Sequence, residues 1–385
     1  MAVTPPVAAP RIAIFMSTSG HSGVDRAMKH LIPALAARGY GVDLLKVRRH
    51  GPNLDSIPCG VRVIDTGAST TYAALPALIA YLRRERPAAL LADKDRVNRT
   101  ALLARWLAGM RRHTRLVLSS GTTLSVDLAH RGFFERALQR FSMRRLYPFA
   151  DQVITTCEAA AEDMAAYTGL SRDRIRSVAS PVVPASLFAH RPAPPEHRWF
   201  APGAPPVLLG VGELGARKDF ATLIRAFAQL RASRELRLVL VGKGRDQAAL
   251  QALAQQLGVG DDVDFAGFRQ DVYAFMAHAA VFAMTSRWEG LGFVLIEALA
   301  CGTPSVAADC PSGPREVLAD GRYGELVPVG DAAALAQAIE RTLDRPPPRE
   351  RSREAARRYE IEAATDEYLR AMQLPLRVPT RVEAA

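Results

Sequence analysis

The order of apolar runs and glycines constrains this chain more than any other feature. Twice, a short apolar run leads through a glycine turn into a segment with apolar residues at helical spacing. Arg11–Met16 (RIAIFM) leads into Ser17–Gly23 (STSGHSG), after which Val24, Met28, Leu31 and Leu35 recur every three to four residues. Val207–Val211 leads into the turn Gly210–Gly215 and then into the helical pattern Phe220–Leu230. A strand, a glycine loop and a helix open a doubly wound α/β domain. The first series continues with strands at Val42–Val47, Ala88–Leu91, Leu116–Leu118 and Gln152–Thr155, and closes on Ser177–Val183. Helices are expected between them at Arg99–Leu107 and Ala159–Tyr167. The second series alternates strands at Leu236–Val241, Val263–Ala266, Val281–Ala283 and Pro304–Ala307 with helices at Gln247–Leu257, Tyr273–Ala279, Val294–Ala300 and Pro314–Ala319.

Between the two series, His190–Pro206 holds six prolines in 17 residues, the pattern of a linker. The expected fold class is α/β, with two doubly wound, Rossmann-like domains facing a central cleft. The expected boundaries are 1–190 for the first domain, 191–206 for the linker, 207–350 for the second domain and 351–385 for a final helix and tail. In such sheets, ligands bind at the carboxyl ends of the strands.

Composition excludes several other classes. At 49% hydrophobic and 23% charged residues, the chain is neither disordered nor fibrous. No run of 18 apolar residues is present, and MAVTPPVAAP lacks the basic and apolar regions of a signal peptide. Cys59, Cys157, Cys301 and Cys310 have no metal-like spacing, so reduced thiols in a cytoplasmic protein and no metal site are expected. Charge is unevenly spread. Residues 1–190 carry 26 Lys and Arg against 14 Asp and Glu, whereas 191–385 carry 24 against 25. A basic half implies an acidic partner such as an anionic lipid surface or nucleic acid.

Gly210, Gly212 and Gly215 fit the G-x-G-x-x-G dinucleotide fingerprint, but the next strand ends Val241-Gly242-Lys243 with no carboxylate for a ribose. Arg217 and Lys218 stand instead at the start of the following helix, where free amides and fixed cations make an anion site. Gly242-Lys243-Gly244 and Gly267-Phe268-Arg269 end the next two strands. The richest constellation is Trp288-Glu289-Gly290-Leu291-Gly292 leading into a helix that contains Glu297. The two glycines leave amides open before that helix. A glutamate inside an apolar helix needs hydrogen-bond donors, and sugar or ribose hydroxyls are donors. Asp93-Lys94-Asp95 has the D-x-D spacing of some metal-dependent transferases. That motif belongs to another fold, which would leave the Glu289–Glu297 constellation unexplained, so Asp93–Asn98 is read as a strand-end loop, either facing the acceptor or a plain loop.

The Glu289–Glu297 segment resembles the E-x7-E motif of retaining glycosyltransferases of the GT-B fold, family four. Arg217-Lys218-Asp219, Gly242-Lys243-Gly244, Ala266-Gly267-Phe268, Cys301–Pro304 and Cys310–Glu316 fall in that family's order. Gly20–Gly23 is similar to its N-terminal glycine loop. The resemblance implies transfer of a sugar from a nucleotide-sugar donor, UDP-linked, to a glycan or lipid-linked acceptor. Retention of configuration is implied, with neither cofactor nor metal. It also assigns roles. Lys218 and Arg217 stabilise the donor diphosphate and Glu289 orients the sugar, which makes these three the catalytic candidates. Glu297 holds the ribose, and Phe268 with Arg269 holds the base. Gly290, Leu291 and Gly292 give backbone amides, with Gly23, Gly212 and Gly242 lining the donor site. Two positions depart from the family pattern. Glu213 replaces its usual arginine, for which Arg217 is the candidate substitute, and Gly121 replaces its usual histidine.

Arg136, Arg140 and Arg144 form one stripe on a helix that also carries Phe133, Phe134, Leu138 and Phe141. A basic amphipathic helix suits an anionic membrane surface, so this stripe is the membrane and acceptor candidate, and the location expected is peripheral on the inner face of the membrane. Two alternatives stand beside the transferase. One is a nucleotide-sugar epimerase of the same fold. The other is a non-enzymatic binder of nucleic acid, although the basic half lacks aromatics spaced to stack bases.

Overall fold

The computed structural model describes residues 10–379, apart from 19–22, 49, 122, 129–130 and 271. The chain forms two compact units: one up to Pro181 together with the segment from Ile361 onward, the other Val182–Glu360. The first unit is built on a seven-stranded parallel sheet of order β3-β2-β1-β4-β5-β6-β7. Its strands are β1 (Arg11–Met16), β2 (Gly41–Lys46), β3 (Val61–Asp65), β4 (Ala89–Asp93), β5 (Arg115–Ser120), β6 (Gln152–Thr155) and β7 (Ile175–Ser177). The second unit holds a six-stranded parallel sheet of order β10-β9-β8-β11-β12-β13. Here the strands are β8 (Val207–Val211), β9 (Arg237–Val241), β10 (Val263–Gly267), β11 (Val281–Met284), β12 (Ser305–Ala308) and β13 (Glu325–Val327). Both are the expected Rossmann-like sheets. Helices cover both faces of such sheets, so the central strands read as unbroken apolar runs. Ile12 to Met16, Leu208 with Leu209, and Val281 to Met284 are accordingly buried.

The missed strands, β3 and β13, are both sheet edges. β3 is largely exposed and carries Arg62 and Asp65, and β13 has only three residues. Neither shows the apolar run of a central strand. The helix Ala332–Asp344 was also not anticipated. The expected closing strand Ser177–Val183 lies instead at β7, Ile175–Ser177.

The units divide elsewhere than at the proline-rich segment. Residues 191–206 belong to the second unit and pack on it. His197 Nε2 meets Asp264 Oδ2 at 3.2 Å, and Arg191 Nη2 donates to the Ala277 carbonyl at 2.9 Å. The His197 and Phe200 rings stack edge-on against Phe275. Proline here stiffens a docked segment rather than loosening a tether. The final helix near Glu354–Met372 is two helices, Arg349–Ala356 and Ile361–Ala371, and the chain passes from one unit to the other between them. Ile361–Ala371 is held to the first unit by buried Arg38, whose Nη2 bonds the Glu362 carbonyl and Asp366 Oδ1, each at 2.9 Å. Glu367 Oε2 also accepts from the Ala179 amide at 2.8 Å.

Candidate active site

The second unit gathers its polar residues at the carboxyl ends of β8, β9, β10 and β11. After β8 the chain turns at Gly212, whose φ of 152° is open mainly to glycine. The Gly242 backbone approaches so closely that an added Cβ would lie 1.8 Å from the Gly212 carbonyl oxygen. This contact fixes the β8 and β9 turns to each other, helped by the Leu214 amide donating to the Lys243 carbonyl at 3.0 Å. The Gly242 amide in turn donates to Gly267 O at the end of β10, at 2.8 Å.

Lys218 lies just before the helix Phe220–Arg231 and is only 6% exposed. Its Nζ is 2.6 Å from Glu289 Oε1, and Arg217 Nη1 is 3.1 Å from Glu289 Oε2. Ser286 Oγ also donates to Glu289 Oε1, at 2.8 Å. Burial pushes the Glu289 carboxyl up, but Lys218 and Arg217 prevail and hold it below the usual glutamate range. The site therefore carries an ionised carboxylate between two cations. Two backbone ties fix the arrangement. Thr285 Oγ1 donates to the Lys218 carbonyl and the Arg287 amide to the Arg217 carbonyl, both at 2.8 Å. Asp219, at the helix start, meets Arg287 Nε at 3.1 Å.

Gly292 caps the N-terminus of the helix Phe293–Ala300 with φ 82°, a left-handed value open mainly to glycine. A second loop braces it: the Gly313 amide donates to the Gly290 carbonyl at 3.1 Å. Glu297 is fully buried one turn along, and Tyr273 Oη donates to its Oε1 at 3.1 Å. Nearby, burial and then Glu289 push the Cys310 thiol up to about 12, so it stays neutral. All four cysteines are free thiols.

Two cations thus share the Glu289 carboxylate, a second carboxylate is buried on the next helix, and the sequence comparisons decide the family. Residues 196–359 match "Glycosyl transferases group 1", and residues 22–181 match "Glycosyl transferase 4-like domain". The chain belongs to the GT-B glycosyltransferases of family four. It is a transferase, which sets aside the epimerase and non-enzymatic readings. The glycosyltransferase is 27% identical over 345 residues to an N-acetylgalactosamine-N,N'-diacetylbacillosaminyl-diphospho-undecaprenol 4-alpha-N-acetylgalactosaminyltransferase of Campylobacter jejuni, spanning 87% of this chain and 90% of that one. Rhizobium meliloti LpsE, a lipopolysaccharide core biosynthesis glycosyltransferase, is 38% identical over 176 residues, covering 44% of this chain and 51% of LpsE. Among solved structures, Anabaena HepE in complex with UDP superposes with a TM-score of 0.74 at 18% identity, covering 94% and 99% of the two chains. The galactosyltransferase WaaB superposes at 0.71 with 19% identity and the same coverage. These two establish the fold.

Within the second unit, the transferase brings Arg217, Lys218 and Glu289 into contact. Gly212 lies against the Lys218 side chain and Gly242 against Gly212, and Gly290, Leu291 and Gly292 follow Glu289 into the next helix. Phe268 and Arg269 stand exposed past β10, with Arg269 over the Phe275 ring at 5.9 Å. Glu213 is exposed, and Arg217 rather than residue 213 supplies the second cation. Gly23 begins the helix Gly23–Ala37 in the first unit and joins none of these contacts, while Gly20 lies outside the described residues. At Gly121, a Cβ would come within 3.2 Å of Val24 Cγ2, so a larger residue would have to displace Val24. Sequence reasoning missed Thr285, Ser286 and Tyr273. The first two immediately follow β11, so the strand-end rule that selected Lys218 would have found them.

The stripe on helix Phe133–Leu146 differs from expectation in detail. Arg140 Nε is tied back to the Tyr167 carbonyl at 3.0 Å, and the Arg144 guanidinium packs against Gly169. Arg136, Arg140 and Arg144 are nevertheless exposed, and the apolar residues beside them are presented to solvent as well: Phe133 is 71% exposed, Phe134 86% and Leu138 68%.

Proposed function

We propose that this glycosyltransferase takes its sugar from a nucleoside diphosphate sugar, UDP-linked, and transfers it with retention to a glycan or lipid-linked acceptor. The observation that carries this reading is the cluster of Lys218, Arg217 and Glu289 at the strand ends. Two cations held by one carboxylate are arranged to take a diphosphate, and the carboxylate so released can orient sugar hydroxyls. At about 4 Å, one cation and one phosphate charge attract by roughly 4 kcal/mol at an effective dielectric near 20. The reading is supported by HepE, solved with UDP, and by the Campylobacter relative, whose name describes a diphospho-undecaprenol acceptor.

In the reaction proposed, the bond from the anomeric carbon to the leaving phosphate oxygen breaks. A bond from that carbon to the acceptor oxygen forms on the same face, and the acceptor proton passes to the leaving phosphate. Lys218, Arg217 and the amides at 290–292 stabilise the charge that develops on the diphosphate. These fixed cations fill the role a divalent metal would otherwise take, so no metal or other cofactor is invoked. Among the described residues, no three His, Cys, Asp or Glu side chains are grouped to hold a metal ion.

The exposed phenylalanines and the basic first half support a peripheral position on an anionic membrane, at its cytoplasmic face, where the free thiols stay reduced. No helix among the described residues is long and apolar enough to cross a membrane. The test is a thermal-shift panel of nucleotides and nucleotide sugars, followed by proton NMR of the new anomeric centre. Stabilisation by UDP and its sugars and an axial-to-axial outcome are expected. Equal stabilisation by all nucleotides, or inversion, would overturn the reading.

A further inference from the structure

The two loops that carry Lys218 and Glu289 are also joined by a side-chain pair to which no role has yet been given. Asp219 follows Lys218 and precedes the helix Phe220–Arg231. Arg287 stands two residues before Glu289. Asp219 Oδ2 lies 3.1 Å from Arg287 Nε, and the Asp219 side chain is 5% exposed against 55% for Arg287.

An aspartate at a helix start ordinarily has extended backbone, and its carboxylate accepts from an amide of the first turn. Asp219 does neither. Its φ of 48° and ψ of 46° are left-handed, a region that costs any residue with a Cβ, and its side chain caps no amide of the helix. The Thr222 amide goes to the Asp219 carbonyl instead, at 3.1 Å. The carboxylate is left for Arg287 and for the Thr222 hydroxyl, which donates to Oδ2 at 3.0 Å. Glycine would take the same backbone without strain. What aspartate adds at this position is the tie across to Arg287.

That tie matters most when a donor is bound. Lys218 and Arg217 hold the Glu289 carboxylate directly, at 2.6 and 3.1 Å. In the transfer proposed above, a diphosphate takes both cations and these two bonds open. The loops are then held together by the Thr285 hydroxyl on the Lys218 carbonyl, the Arg287 amide on the Arg217 carbonyl, and the Asp219–Arg287 pair. Of these three, only the last joins full charges.

We propose that Asp219 is a positioning residue: its pair with Arg287 keeps the Glu289 loop in register with the Lys218 loop while the diphosphate occupies the cations, so that Glu289 stays aimed at the donor sugar. The inference rests on the transferase reading above. Asp219 acts through Arg287 and touches no reacting atom.

The test is calorimetry on the full chain with UDP and four probes: UDP-glucose, UDP-galactose, UDP-N-acetylglucosamine and UDP-N-acetylgalactosamine. At least one of the four should bind the parent chain. Two variants remove the pair in different ways. Asparagine enters the left-handed region as aspartate does and can still accept from Thr222, so Asp219→Asn loses only the charge. Asp219→Gly relieves the backbone as well, and its melting point should not fall. Both should weaken the nucleotide sugar about tenfold or more and leave the UDP dissociation constant within about twofold, because a misaimed group loses orientation and not the diphosphate contact. Arg287→Gln should reproduce the selective loss, and the double variant Asp219→Asn with Arg287→Gln should be no worse than either alone.

Equal weakening of UDP and the nucleotide sugar would make Asp219 a plain structural residue and overturn the proposal. So would unchanged binding of both, losses that add in the double variant, or a parent chain that binds UDP but none of the four probes. A parent chain that does not bind UDP at all would overturn the donor reading, and the role of Asp219 with it.

Discussion

The two sheets wind alike and end differently. β1 and β8 hold corresponding places in their sheets, as do β4 and β11. After β8 and β11 stand Arg217, Lys218 and Glu289, with every charge paired. At the ends of β1 and β4 stand two buried carboxylates, one of them with an oxygen lacking a donor. One scaffold thus presents cations in one unit and acceptor oxygens in the other. The fold fixes where a ligand binds, and the few residues at the strand ends fix what binds.

The strongest way to break this contrast is at Lys218. Lys218→Ala should lower turnover about a hundredfold or more, since one lost transition-state contact is worth roughly 3 kcal/mol. Steady-state kinetics on the purified variant checks this, and unchanged turnover would remove the diphosphate role. A smaller effect is expected where the first unit meets a membrane. Phe134 is 86% exposed, and burying such a side chain contributes about 1.5–3 kcal/mol. Phe134→Ser should reduce partition onto anionic vesicles by about tenfold in sedimentation assays, with UDP affinity unchanged. Equal sedimentation of the variant and the parent chain would discard the helix as a docking face. The smallest effect is expected at Tyr273, whose hydroxyl bonds Glu297. Tyr273→Phe should destabilise the second unit by about 1 kcal/mol, a shift of roughly 2–4 °C in calorimetry. A melting point that does not move would mean that the hydroxyl is not needed to hold the carboxylate.

The second unit was the more legible of the two in the sequence. Its site lies on short turns directly after apolar strands, so Lys218, Gly242 and Glu289 could be located by counting from β8, β9 and β11. Glu297 was legible because a carboxylate in an apolar helix needs a chemical reason. Edge strands β3 and β13 were not legible, because an exposed or three-residue strand carries no apolar run. Nor was the division at Pro181 and Glu360, which depends on Arg38 meeting Asp366 across 328 positions in the chain. Prolines at 192–206 marked stiffness, not separation. Asp93 is legible by its spacing to Asp95, but the buried Oδ2 without a hydrogen bond shows only in the packing around β4.

The central claim is that the second unit binds the nucleotide through Lys218 and Glu297 and reserves Glu289 for the sugar. Isothermal calorimetry with UDP on the parent chain, Glu297→Ala and Glu289→Ala tests it most directly. Glu297→Ala should weaken UDP at least tenfold, and Glu289→Ala should keep UDP affinity while losing sugar transfer. Loss of UDP binding in Glu289→Ala with full binding in Glu297→Ala would contradict the account.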